Sequence, residues 1–139
     1  MSYISKDEHL LGKIKKHVNV LQRGYSNIKD LNTKQLEDSL EAYACIQCIT
    51  NIYGLYGQLE NDDVIEKLSF INSKHIRKLR NIGAHDYDSI NWEIAKEVSG
   101  ELIKQVSDAV IEECISIVRD ECSRIKDYTS LYNTSEKKS

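Results

Sequence analysis

No proline interrupts the 139 residues. Proline ends helices because its ring clashes with the preceding turn and it has no N–H to donate, so a chain without it can build long helices. Apolar spacing shows that it does. Ser5-Lys6-Asp7-Glu8 is a capping box, in which serine and glutamate satisfy each other's backbone N–H groups, and it places a helix start at Ser5. Leu11, Ile14, Val18, Leu21 and Tyr25 then alternate three- and four-residue steps along one stripe. Lys13, Lys15, Lys16 and Asn19 fall mostly off that stripe, and Gly24 to Asn32 reads as the turn out.

A second helix is predicted over about Thr33–Gln58. Between Ala42 and Tyr56 eleven of fifteen residues are apolar, which implies burial on most sides. Gln47, Thr50, Asn51 and Gly54 form one narrow polar stripe on that rod, at i, i+3, i+4 and i+7. Buried amides need partners, so the stripe is expected to face a polar neighbour helix, a symmetry mate or a site. Asn61-Asp62-Asp63 caps a short helix through Phe70, and Asn72-Ser73 starts the next. A long final helix begins near Asn91. Its stripe is Ile94, Val98, Leu102, Val106, Val110, Cys114 and Ile117/Val118, with a bend expected at Gly100, and it is the natural partner of the second helix. From 128 the composition turns to Thr, Ser, Asn and Lys. The expected organisation is therefore one all-α domain over 1–127, an antiparallel bundle of four or five helices, with a flexible tail over 128–139.

No apolar run is long enough to cross a bilayer and the N-terminus has no signal-peptide pattern, so no membrane association and a cytoplasmic location are expected. Cys45-Ile46-Gln47-Cys48 has the spacing of a redox or zinc motif. No strand precedes it, however, and the remaining pair, Cys114 and Cys122, is separated by seven residues, so core packing is the preferred reading. A net charge of −3 argues against a protein that coats nucleic acid over its whole surface. Locally the balance reverses. Lys74, Arg77, Lys78 and Arg80 put four positive charges and no acid between Asn72 and Arg80, a strip suited to a phosphate-bearing segment or, for Lys74, Arg77 and Lys78 alone, a solvated helix face.

That strip leads into Arg80-Asn81-Ile82-Gly83-Ala84-His85-Asp86-Tyr87, the stretch richest in reactive groups. Histidine exchanges a proton near neutral pH, and arginine holds a phosphoryl oxygen through two N–H groups. RNA supplies its own nucleophile, the 2′-hydroxyl. Cleavage then requires proton transfer and charge stabilisation, with no metal and no cofactor. On a regular helix, positions five apart leave the axis about 140° from each other. Arg80 and His85 can therefore meet if the helix ends around Gly83, or if a second copy of the chain sets its own pair opposite the first.

The motif of arginine, asparagine, a short spacer, histidine and a tyrosine two residues later, set late in a helical bundle behind a basic lead-in, resembles the HEPN superfamily and its HepT-like branch in particular. The resemblance covers roughly residues 5 to 125, and the eight-residue motif carries nearly all its specificity. It implies a homodimeric, metal-independent ribonuclease that dimerises through helices near the motif. Arg80 and His85 match the catalytic pair and Asn81 the adjacent polar position. Lys74, Arg77 and Lys78 then become RNA-binding residues, with Gln47 and Asn51 the candidate inner wall. It further implies a toxin paired with a MntA-type nucleotidyltransferase antitoxin that attaches AMP to the tyrosine matching Tyr87. The chain departs from the family in holding Asn51 or Gln47 where an acidic residue is usual, and in placing Trp92 after the motif. Two other readings use the same residues: a non-catalytic HEPN-like module that binds a nucleotidyltransferase or a nucleotide, and a ligand-free dimerisation module in which His85 only caps a helix C-terminus.

Overall fold

The structure is a computed structural model that describes the backbone of residues 5–85 and 87–138, and the side chains of 5–82 and 88–125. Among these residues there are seven α-helices and no strand: α1 (Lys6–Ile28), α2 (Thr33–Glu37), α3 (Leu40–Tyr56), α4 (Asp62–Lys67), α5 (Lys74–His85), α6 (Trp92–Gln105) and α7 (Asp108–Lys138), with single 3-10 turns at Ser69–Asn72 and Tyr87–Ser89. They form the helical bundle expected from the apolar periodicity.

Half of the predicted capping box at the start of α1 is present: the Ser5 side chain accepts from the Glu8 backbone N–H, while the Glu8 carboxylate turns to Arg119 in place of the Ser5 N–H. Three of the predicted boundaries differ from those observed. Gly24 does not end α1, which continues to Ile28. Instead it brings α1 onto α3, where a Cβ at position 24 would lie 3.0 Å from Cys45 Sγ. The predicted second helix is two helices, α2 and α3. Asn32 and Gln35 form a reciprocal capping box on the first, and extended Ser39 accepts from the Ala42 N–H to start the second. Short hydroxyl side chains compete locally with helix continuation, and here the competition wins. The predicted final helix also divides, at Val106 (φ −120°, ψ 51°) and not at Gly100. Gly100 lies inside α6, close against the Tyr25 ring. The apolar stripe continues through Val106 in register, which hides the break, and the turn swings α7 across α1 and α4.

Helix α3 packs most extensively on α1, and then on α5 and α6. The final helix expected to be its main partner therefore splits its role: α6 touches α3, while α7 turns to α1 and α4. Leu11, Ile14, Leu21 and Ile28 of α1 meet Ile46, Ile49 and Ile52 of α3 in one core with Ile76 and Leu102, all fully buried. Each such side chain contributes roughly 1.5–3 kcal/mol through removal of apolar surface from water. Ile111, Cys114 and Val118 seat α7 on the same core, and Lys15–Glu112, Lys67–Glu113 and Arg119–Glu8 ion pairs flank it. The backbone of α7 stays helical to Lys138, through the stretch where the composition predicts a tail.

Asp7 anchors the chain where α1 meets the entrance to α4. Its buried carboxylate accepts N–H donation from Glu60 and, at 2.8 Å, from Asn61. Removing that acceptor leaves two backbone donors without their partner, which costs about 1–3 kcal/mol for such groups. Asp7→Ala is expected to lower stability by about that amount in a urea titration, with an unchanged m-value.

Cys45, Cys48 and Cys114 are free and buried, and Cys122 is free and half-buried. Burial pushes the Cys45 thiol up to about 12 and raises those of Cys48 and Cys114 as well. Thiolate is the reactive form, so these three are held unreactive. Native protein at pH 8 should show one accessible thiol, Cys122, to a colorimetric disulfide reagent, and four after denaturation.

Candidate active site

Helix α5 presents the basic run and the motif. Ile76 and Leu79 are buried against the core, while Lys74, Arg77, Lys78, Arg80 and Asn81 are exposed. This follows from spacing: Ile76, Leu79 and half-buried Ile82 are three apart and form one flank, which forces the charged residues outward. Arg77 stands one turn before Arg80 on the same side, so two guanidinium groups line one edge of α5.

The backbone of α5 is continuous through Gly83 and ends at His85. The helix therefore does not stop early enough to fold position 85 back toward position 80. On one continuous helix these positions leave the axis about 140° apart. The side chains of His85 and Tyr87 lie outside the described residues.

Arg80 has a neighbour that the sequence did not signal. Its guanidinium carbon lies 5.3 Å from the ring centroid of Tyr53, a half-buried residue of α3. The electron-rich ring face attracts the cation by roughly 0.5–1 kcal/mol at a site this exposed. A tyrosine in an apolar helical run reads as core, and 27 positions separate it from Arg80. Nothing but the packing of α5 on α3 brings the two together. Trp92, at the start of α6, packs edge-on against Tyr43 of α3 with ring centroids 4.9 Å apart, so a second aromatic contact ties α3 to the segment after the motif.

The polar stripe of α3 is not an inner wall within one chain. Gln47, Asn51 and Gly54 are exposed and Thr50 is half-buried, on the one side of α3 that α1, α5 and α6 leave open. Thr50, Asn51 and Gly54 floor a cleft of about 590 Å³ whose far wall is Lys13, Lys16 and His17 of α1. Asn51 faces this α1 side, and the α3 residue under Arg80 is Tyr53. Among the described residues no cluster of three His, Cys, Asp or Glu side chains could hold a metal ion, and no helix is long and apolar enough to cross a membrane.

Exposed Arg80 over the Tyr53 ring, exposed Asn81 beside it and His85 as the last residue thus lie along one helix. The family model described as Ribonuclease HepT-like matches residues 9–113, from early α1 to the start of α7, with the whole motif inside the match. The chain belongs to the HepT-like ribonuclease family. Comparison with curated proteins and with solved structures finds no match. The family model leaves most of α7 outside it, so the bundle of α1 to α6 with the first turn of α7 is the part this chain shares with the family.

If Tyr53 orients Arg80 through its ring face, Tyr53→Phe should leave RNA cleavage within about twofold of the wild type, because the ring remains. Loss of the cation–π contact in Tyr53→Ala, about 1 kcal/mol, corresponds to a roughly fivefold decrease in the single-turnover rate, measured on a labelled RNA oligonucleotide.

Proposed function

We propose that this chain is a metal-independent endoribonuclease toxin of a type VII-like toxin–antitoxin pair, acting in the cytoplasm as a homodimer with a composite site. The observation that carries the reading is the continuity of α5 to His85, with exposed Arg80 and Asn81 one to two turns earlier. One helix cannot bring positions 80 and 85 to the same phosphate. Two copies related by a two-fold axis can, and such an axis places the same residues on both sides of the cleft.

In that site the 2′-oxygen attacks the adjacent phosphorus and the 5′-oxygen leaves. The 2′-hydroxyl proton passes to one imidazole and the 5′-oxygen receives a proton from an acid. A two-fold pair of His85 side chains provides one group for each transfer. Arg80 offsets the charge that grows on the non-bridging oxygens, Asn81 orients the scissile phosphate by donating from its amide, and Lys74, Arg77 and Lys78 hold the flanking backbone. Tyr87 is the modification site. AMP attached there by a MntA-type nucleotidyltransferase adds a phosphate that competes with RNA for the arginine, which silences the enzyme by local electrostatics.

Expression in a bacterial host is expected to arrest growth with decay of RNA, and both effects should disappear in Arg80→Ala and His85→Ala. In vitro, with chelator present, each substitution should lower cleavage by roughly 100-fold or more. Cleavage that persists in both variants sinks the ribonuclease reading. Intact mass after incubation with the nucleotidyltransferase and ATP should show one AMP adduct, absent from Tyr87→Phe.

A further inference from the structure

Four lysines lie on α1, and the structure divides them. Lys6 is paired with Glu60 at 3.1 Å, and Lys15 with Glu112 at 3.0 Å on the side facing α7. Lys13 and Lys16 make no ion pair among the described residues. Both are exposed, and both border the cleft over α3 together with half-buried His17. No acid lines that cleft.

The floor is also distinctive. Thr50 and Asn51 offer a hydroxyl and an amide, and at Gly54 an added Cβ would meet nothing within 4 Å, so the surface there is open. Tyr53, which holds Arg80, directly precedes Gly54 on α3. The cleft and the Arg80 edge are therefore opposite flanks of one exposed helix face, separated by about one helix diameter of 10–12 Å. Basic side chains border that face on both sides: Lys13 and Lys16 from α1, Arg80 from α5.

We propose that the α1–α3 cleft is the track along which single-stranded RNA leaves the cleavage site, with Lys13 and Lys16 neutralising backbone phosphates and Thr50 and Asn51 reaching ribose hydroxyls. The proposal rests on RNA being the substrate of this fold. Two unpaired lysines above a neutral, hydrogen-bonding floor match a polyanion with hydroxyls between its charges. A run of exposed lysines alone would not distinguish such a ligand, but the acid-free lining, the open glycine and the continuity with Arg80 do. Lys13 and Lys16 act as positioning residues, since neither is placed at the reacting phosphate.

The test uses the full chain and a 2′-O-methyl RNA oligonucleotide, which is not cut and, with its ribose hydroxyls masked, reports the phosphate contacts of Lys13 and Lys16 alone. Each phosphate neutralised on a single strand contributes about 0.7 to the slope of log affinity against log salt. The double substitution Lys13→Gln/Lys16→Gln should reduce that slope by about 1.4 and weaken binding about fivefold or more at 50 mM salt. Lys15→Gln, on the other side of α1, should leave the slope unchanged. On cleavable RNA the double variant should raise KM and keep the single-turnover rate at saturation. Both substitutions are at exposed positions, and an unchanged melting temperature verifies folding.

A slope equal to the wild-type value overturns the track even if the protein cleaves RNA. Conversely, a reduced slope in a protein that cleaves no RNA keeps the cleft as an RNA-binding surface but removes the ribonuclease reading and, with it, the exit track, so the two failures are distinguishable. ATP that displaces the oligonucleotide at near-stoichiometric concentration, with that displacement lost in the double variant, makes the cleft a mononucleotide pocket and overturns the proposal.

Discussion

The packing of α1 on α3 is the contact on which everything else depends. Gly24 lets the two helices approach until Cys45 Sγ nearly fills the space a side chain would take. Fully buried Leu and Ile residues from both helices then close the interior. Once α1 occupies one flank of α3, α5 and α6 take the others, and a single face of α3 stays uncovered. The candidate site borders that face, because Arg80 rests on Tyr53 at its edge.

Burial and chemistry are therefore segregated by helix face. Helix α5 gives Ile76 and Leu79 to the core and keeps its cations outside, so the basic strip adds no desolvated charge to the interior. The same separation holds on α1, where Ile14, Val18 and Leu21 are buried while Lys13 and Lys16 overlook the open face of α3. Placing like charges on opposite rims of a groove costs stability by repulsion, and such a cost is tolerated where an anion relieves it. The buried cysteines stand apart from this chemistry, since burial keeps Cys45 and Cys48 as thiols in spite of their suggestive spacing.

The places where the helices depart from the apolar pattern share one physical cause. Gly24 and Gly100 were expected to mark a turn and a bend, yet both are close-packing positions inside helices, against Cys45 and Tyr25. The breaks occur at Ser39 and Val106, where side-chain caps and a buried turn residue act over three or four positions while the apolar stripe continues without interruption. Periodicity reports which face is apolar and is nearly blind to a kink that preserves register. The polar stripe on α3 was likewise visible as a pattern, but whether it was enclosed or open depended on how many helices surround α3.

The all-α class, the start of α1 at Ser5, the core stripe of α1 and the catalytic candidates on α5 were determined by the sequence alone. Each rests on local rules: helix propensity without proline, capping over three residues, spacing along one helix, and the reactivity of arginine and histidine. Tertiary structure alone decided that Tyr53 lies under Arg80, that Asn51 belongs to a cleft with Lys13 and Lys16, and that α5 runs unbroken to His85. The first two depend on which helix faces meet across long chain separations. The third depends on whether Gly83 ends the helix or is carried through it, and a glycine by itself permits both.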